Sequence, residues 1–162
     1  MIDIHPTAKV SRHSDIEDSV RGTRIVVGAH SVIDSFVKVK PAGGTGDLVI
    51  GEHVTINAGC VLYTGQGIRI GNHVAIAANT TLAPVNHAFA SKHRLIREQG
   101  FLPGKGGIVI EDDVWIGANC TLLDGAVLRQ GCVIGAGSLV RGEVPAYEVH
   151  AGSPLLKRGE RR

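Results

Sequence analysis

Aliphatic residues recur at every sixth position along most of this chain. From Ile110 onward they stand at Ile110, Ile116, Leu122, Leu128, Ile134 and Val140. Earlier triplets keep the interval: Ile4, Val10, Ile16; Val27, Ile33, Val39; Ile50, Ile56, Leu62; Ile70, Ile76, Leu82. Such a period does not suit a helix, whose faces repeat about every 3.6 residues. It suits a short strand and a turn, repeated, which is the signature of a parallel β-helix. Three units close one triangular coil, with each aliphatic side chain pointing into the prism. The triplets predict an all-β chain of about six coils. Stacked, they place Ile4, Val27, Ile50, Ile70, Ile110 and Leu128 in one column, and the other two faces follow in the same way.

The fourth residue after an aliphatic is small or β-branched, as at Val54, Cys60, Val74, Thr80, Val114, Cys120, Ala126, Cys132 and Ser138. The three cysteines therefore read as small buried side chains. They form no CxxC pair that would point to a metal or redox motif. Cys60 and Cys120 share a column two coils apart. Coils stack at about 4.8 Å, so the pair lies beyond the ~7 Å reach of a disulfide.

All the irregular intervals fall between the third face and the next first face: Ile16 to Val27, Val39 to Ile50, Leu62 to Ile70 and Leu82 to Ile110. A prism admits extra residues only at a corner, and here one corner takes them all. The longest insertion is predicted as a protruding loop over 83–109, inside a β-helix domain over 1–143. The stretch 144–162, punctuated by Pro145 and Pro154, is predicted as a C-terminal capping tail. Long loops on rigid scaffolds tend to carry function.

Composition narrows the functional classes. A net charge of +2 gives no electrostatic case for nucleic acid or an anionic membrane. Aromatic residues at 4% are too few for base-stacking platforms. No apolar run approaches the roughly 18 residues of a membrane span. The start, "MIDIHPTAKV", lacks the basic flank and apolar core of a signal peptide, so the expected compartment is the cytoplasm.

The long loop is built around His87 in "NHAF" (86–89) and continues through "REQGF" (97–101). It is followed by "IEDDVWIGANCTLLDGAVL" (110–128), "IGAGSLV" (134–140) and "VHAGSPLLKR" (149–158). With these stretches the chain resembles the hexapeptide-repeat acyltransferases, nearest to bacterial O-acetyltransferases of the galactoside and maltose type and those that modify surface polysaccharides. The resemblance covers essentially the whole chain. It implies a left-handed winding, an exception to the right-handed crossover rule. It also implies acetyl-CoA as donor, a carbohydrate acceptor, no metal, and a homotrimer with active sites between subunits.

By the same resemblance His87 is the general base. Imidazole titrates near neutrality, so it can take a hydroxyl proton during attack and return it to the departing thiolate. The Ala118 backbone N–H is the implied oxyanion donor. Asn57 and Trp115 are the implied acceptor contacts. Ala118, Ala136, Arg141, Ala151, Pro154 and Lys157 are the implied cofactor contacts, with Gly152 in the same stretch. Two departures stand out. Leu156 replaces a basic residue usual two after the "AGxP" proline, and Gly65 stands where galactoside enzymes carry an acidic sugar contact.

Two further readings stay open. An amino sugar linked to a nucleotide would make the reaction N-acetylation. A metalloenzyme of the γ carbonic anhydrase type shares the fold, and His30, His53 and His73 recur on successive coils. A ladder spaced about 4.8 Å along one chain does not readily close a tetrahedral site with Zn–N bonds of about 2.0–2.1 Å. These histidines read as solvent-facing turn residues. His93 reads as a surface or supporting group within the loop.

Overall fold

The computed structural model describes residues 1–162. Strands of two or three residues, with two longer ones at the C-terminal end, alternate with turns and stack into three sheets of seven, eight and six strands. Within each sheet the strands of the coils are parallel and in register. On the first face Ile4 pairs with Val27, Val27 with Ile50, Ile50 with Ile70, and Ile70 with Ile110. On the second, Val10, Ile33, Ile56, Ile76, Ile116 and Ile134 line up in the same way. On the third they are Ile16, Val39, Leu62, Leu82, Leu122 and Val140. The three columns are those that the period of six predicts.

The columns meet on the prism axis as one apolar core. From Val27, Ile33 and Val39 onward, every column residue up to Leu128, Ile134 and Val140 is at most 2% exposed. The first coil differs. Ile4 is 37% exposed, and Val10 and Ile16 are only partly buried, because no coil lies beyond them. Cys60, Cys120 and Cys132 are free and buried in the corners, as their spacing predicts. Burial pushes the Cys132 thiol up to about 12.

Two corners turn tightly by placing one residue in the left-handed region. At the first these include His30, His53, His73 and Asp113 (φ 54–59°), and at the second Phe36, Asn79 and Asn119 (φ 57–62°). The third corner takes every insertion. The longest is narrower than 83–109, because Ala83 ends one strand and Ile108 begins the next. It runs over residues 84–107 and holds the chain's one helix, Ile96–Gln99. No helix is long and apolar enough to cross a membrane.

The regular stack does not end at residue 143. Glu143–Val144 adds a strand to the first sheet, and Val144 is fully buried below Leu128. Glu148–Ala151 adds a strand to the second sheet, so 144–162 begins as an incomplete seventh coil. His150 takes the next position below Ile134, where earlier coils carry an aliphatic. Its ring is paired with Glu148 at 2.7 Å. The chain then reverses, and Leu156–Glu160 pairs antiparallel with Glu148–Ala151. Arg161 fastens this end with hydrogen bonds to Asp113 Oδ2 (2.8 Å) and the Gly131 carbonyl (3.0 Å).

Two outcomes follow from this packing. Ile76→Ala, at a fully buried mid-stack position, should cost about 2–5 kcal/mol in denaturant unfolding. Ile4→Ala, at the open end, should cost less than half of that. Cys132 should also resist a disulfide-exchange reagent at pH 8 until the protein unfolds. Rapid labelling of the native state at Cys132 would contradict the buried, protonated thiol.

Candidate active site

Residues 84–107 form a braced arm. At its root the Gln66 N–H donates to the Pro84 carbonyl at 3.0 Å. Asp124, only 9% exposed, sits at the same corner one coil further on, just after Leu123, the register partner of Ala83. Its carboxylate accepts the N–H groups of Lys105 (2.7 Å) and Gly107 (2.9 Å), which ties down the returning end of the arm. Further out, the Leu102 N–H donates to Asn86 O (2.8 Å) and the Ala88 N–H to Gly100 O (3.0 Å). This antiparallel clasp sets His87 opposite Phe101. At the tip, Gln99 exchanges hydrogen bonds with the Ser91 backbone (3.0 and 2.9 Å) and also donates to Arg94 O (3.1 Å).

His87 is exposed on this frame, and its ring packs on Phe101 with centroids 4.7 Å apart. The imidazole makes no hydrogen bond within the chain, so contact with Phe101 is what holds it. A shallow depression of about 300 Å³ opens beside it. Ala42, Tyr63, Ala83, Val85 and Phe101 complete most of its wall. Gly43, also in the wall, faces Val85 so closely that a Cβ there would lie 2.4 Å from Val85 Cγ2. Gly65 has φ +40°, and a Cβ there would stand 2.4 Å from Pro84 O. A side chain at position 65 therefore has no room. His93 lies at the arm's tip, exposed, with its backbone N–H on Ser91 Oγ (3.4 Å).

The second corner carries a different chemistry. The backbone N–H groups of Ala58, Ala78, Ala118 and Ala136 occupy equivalent turn positions on successive coils. None of the four finds an acceptor in the chain. At the first corner three of the equivalent donors are taken by side chains, while those of Ala29 and Asp112 stay open. The Glu52 N–H bonds Asn72 Oδ1 (2.8 Å), the Asn72 N–H bonds Asp112 Oδ1 (2.7 Å), and the Gln130 N–H bonds Glu111 Oε2 (2.8 Å). Alanine offers no such acceptor, so the second corner keeps a row of open donors. Asn57 heads that row, with its side-chain amide donating to Ile76 O at 2.8 Å. Trp115 projects outward from the second sheet between Ala75 and Val133 and is 54% exposed.

The structure thus gathers the sequence-predicted residues into separate groups. His87 stands off the third corner. Asn57, Ala118 and Ala136 lie along the second, with Trp115 nearby on the second sheet. Arg141 and Pro154 share a depression of about 490 Å³ at the C-terminal end, and Arg141 has no ion pair within the chain. Ala151 packs beneath Gly135, and the Gly152 N–H is taken by Ser138 Oγ at 2.9 Å. Lys157 is engaged by Glu148 at 2.7 Å and by Glu160. Those two carboxylates raise its pKa, while His150 and Lys157 lower that of Glu148. Lys157 is therefore a neutralised cation. The sequence pattern assigns no role to Asp124 or Tyr63, nor individual roles to Gln99 and Phe101 within "REQGF". Asp124 carried one signal, an Asp-Gly turn at the corner that receives the insertions.

His30, His53 and His73 stack along the first corner with ring centroids 5.0 and 5.1 Å apart. No group of three or more His, Cys, Asp or Glu side chains converges as a metal site.

Two family models match the repeats: "bacterial transferase hexapeptide (six repeats)" over 107–142 and "hexapeptide repeat of succinyl-transferase" over 48–84. The chain belongs to the hexapeptide-repeat transferase family. It is 30% identical over 70% of its length to a putative lipopolysaccharide biosynthesis O-acetyl transferase, WbbJ, of Escherichia coli, and spans 60% of that protein. It is also 33% identical over 76% of its length to the mitochondrial gamma carbonic anhydrase 2 of Arabidopsis thaliana, spanning 48% of it. The hexapeptide-repeat chain thus covers about half the length of these relatives. Among solved structures, the Bacillus cereus N-acyltransferase AntD, in complex with dTDP and 3-hydroxybutyryl-CoA, superposes with a TM-score of 0.82. That likeness covers 99% of this chain and 83% of the other at 21% identity, and it speaks for the fold alone. The fold is a left-handed parallel β-helix.

Replacing Asp124 with alanine leaves the buried Gly107 N–H unsatisfied, at about 1–3 kcal/mol, and releases the Lys105 N–H to water. Hydrogen exchange at Lys105 and Gly107 should accelerate at least tenfold. Protection equal to wild type at both amides would remove Asp124 as the latch.

Proposed function

We propose that this protein is an acetyl-CoA-dependent O-acetyltransferase that acts on a hydroxyl of a carbohydrate or surface-polysaccharide precursor. The observation that carries the reading is His87, held on a braced arm beside a depression with its ring nitrogens free of protein partners. In this reading the acceptor hydroxyl gives its proton to His87 as its oxygen attacks the thioester carbonyl. A carbon–oxygen bond forms, the carbon–sulfur bond breaks, and the proton passes from the imidazolium to the thiolate. The open N–H of Ala118 meets the oxyanion. A backbone donor works with any side chain, so alanine is adequate there.

Base and oxyanion donor lie at different corners of one chain, with the third sheet between them. The arm also presents Phe89, Leu95, Ile96 and Phe101 to solvent. Both features support a homotrimer in which the arm of one copy reaches the second corner of the next. Asn57 and Trp115 then face the acceptor, and the open donors along that corner, Ala136 among them, suit the amide-rich arm of acetyl-CoA. Arg141, beside Pro154, is the better candidate for its phosphates than Lys157, whose charge is already matched. With acetyl-CoA as donor, this reading puts the reaction in the cytoplasm.

A second reading is transfer to an amine of a nucleotide-linked sugar, in keeping with an N-acetyltransferase of Clostridium perfringens that is 50% identical to this chain over 52 residues. An amine acceptor needs less help from a base, so the two readings differ in how much His87 contributes. The carbonic anhydrase reading requires imidazoles that converge on one ion, whereas the three aligned histidines here run parallel along a corner.

Calorimetry with acetyl-CoA should give saturable binding near one per chain. His87→Ala should retain the native melting temperature and lose on the order of 10²–10⁴-fold in acceptor-dependent CoA release. Near-normal turnover by that variant would remove His87 as base. Stoichiometric zinc or iron with CO₂ hydration would move the protein to the lyase class.

A further inference from the structure

We infer that the acceptor presents an uncharged, apolar flank to the arm, as a 6-deoxyhexosyl ring does, next to the hydroxyl that is acetylated. The inference rests on the acetyl-transfer reading and deepens it by naming the acceptor class. The depression beside His87 has a volume of about 300 Å³, suited to one sugar ring. Its side chains are Ala42, Tyr63, Ala83, Val85 and Phe101, with the imidazole itself. Apart from the imidazole of His87, none carries a carboxylate, an ammonium or a guanidinium group. The Tyr63 hydroxyl is the one further polar side-chain group.

A hexose with every carbon hydroxylated would set a hydroxyl against Val85 and Ala42, whose side chains offer it no partner in place of the water it loses there. A protonated amine would meet no counter-ion there. A methyl or methylene edge loses nothing and gains apolar contact. The wall cannot readily be made polar at the nearest backbone positions. Gly65 is closed by Pro84 O at 2.4 Å and Gly43 by Val85 at 2.4 Å, both measured from a built Cβ, and both residues have positive φ. Two aromatic rings, Tyr63 and Phe101, border the same space and offer flat surfaces to the CH face of a sugar.

The test compares methyl β-D-galactopyranoside with its 6-deoxy counterpart, methyl β-D-fucopyranoside, and with the 6-amino-6-deoxy galactoside. Acetyl-CoA-dependent CoA release should favour the 6-deoxy sugar about tenfold in kcat/KM over the 6-hydroxy sugar, the order expected for one apolar group in an apolar pocket. The 6-amino sugar should be the poorest. Val85→Thr places a hydroxyl in the wall at nearly constant volume and should shrink the preference severalfold, with acetyl-CoA affinity unchanged. Equal use of the two neutral sugars, or acetylation of the galactoside at its 6-hydroxyl, would overturn the inference and leave acetyl transfer standing. Absence of CoA release with every acceptor would overturn acetyl transfer instead. The flank preference would then be read from saturation-transfer NMR of the two neutral glycosides, where tighter binding of the 6-deoxy sugar supports it and equal binding overturns it.

Discussion

The structure depends on one repeated contact: an aliphatic side chain stacked directly on the aliphatic of the next coil, in register, at the strand spacing of about 4.8 Å. Each coil must return to the same three inward positions, so no strand can gain or lose a residue without turning its core side chain outward. Length variation is driven to a corner. Here it is concentrated at a single corner, with segments from the two-residue Arg141–Gly142 turn to the arm over 84–107. The arm is therefore where the scaffold allowed new chain, and the scaffold beneath it is the same as in every other coil.

The two tight corners show how side chains decide what a repeated backbone offers. Both use a left-handed residue in each coil after the first, and both turn a backbone N–H outward. At the first corner Asn72, Asp112 and Glu111 satisfy the donors of Glu52, Asn72 and Gln130 from neighbouring coils. At the second corner Ala58, Ala78, Ala118 and Ala136 leave them open. A row of unpaired, accessible donors is of little use to folding and well suited to binding carbonyl oxygens. The same backbone thus becomes largely structural at one corner and receptive along four successive coils at the other.

The arm is stabilised by polar contacts, in contrast to the stack. Asp124 holds its root, the Asn86–Leu102 and Ala88–Gly100 pairs hold its waist, and Gln99 holds its tip. Its apolar side chains are spent on the outside and around His87. An element that orders itself by hydrogen bonds and keeps its apolar groups exposed is prepared for a surface or ligand that is not part of the same coil.

The sequence by itself determined the three faces, the corner that takes insertions, the burial of the cysteines and the outward Trp115. Each follows from a local period, because the pleat fixes which way a side chain points once the interval is known. It also placed His87 on the long insertion. The tertiary structure alone decided the rest. Asp124 meets Lys105 and Gly107, and Lys157 is engaged by Glu148 and Glu160, through contacts between coils or across a chain reversal. Val144 and His150 extend the stack past residue 143, hidden from the pattern because a histidine stands where an aliphatic was expected. Which side chains clasp the arm, and which donors stay open, depends on register between residues far apart in the chain, and a local period carries no information about that.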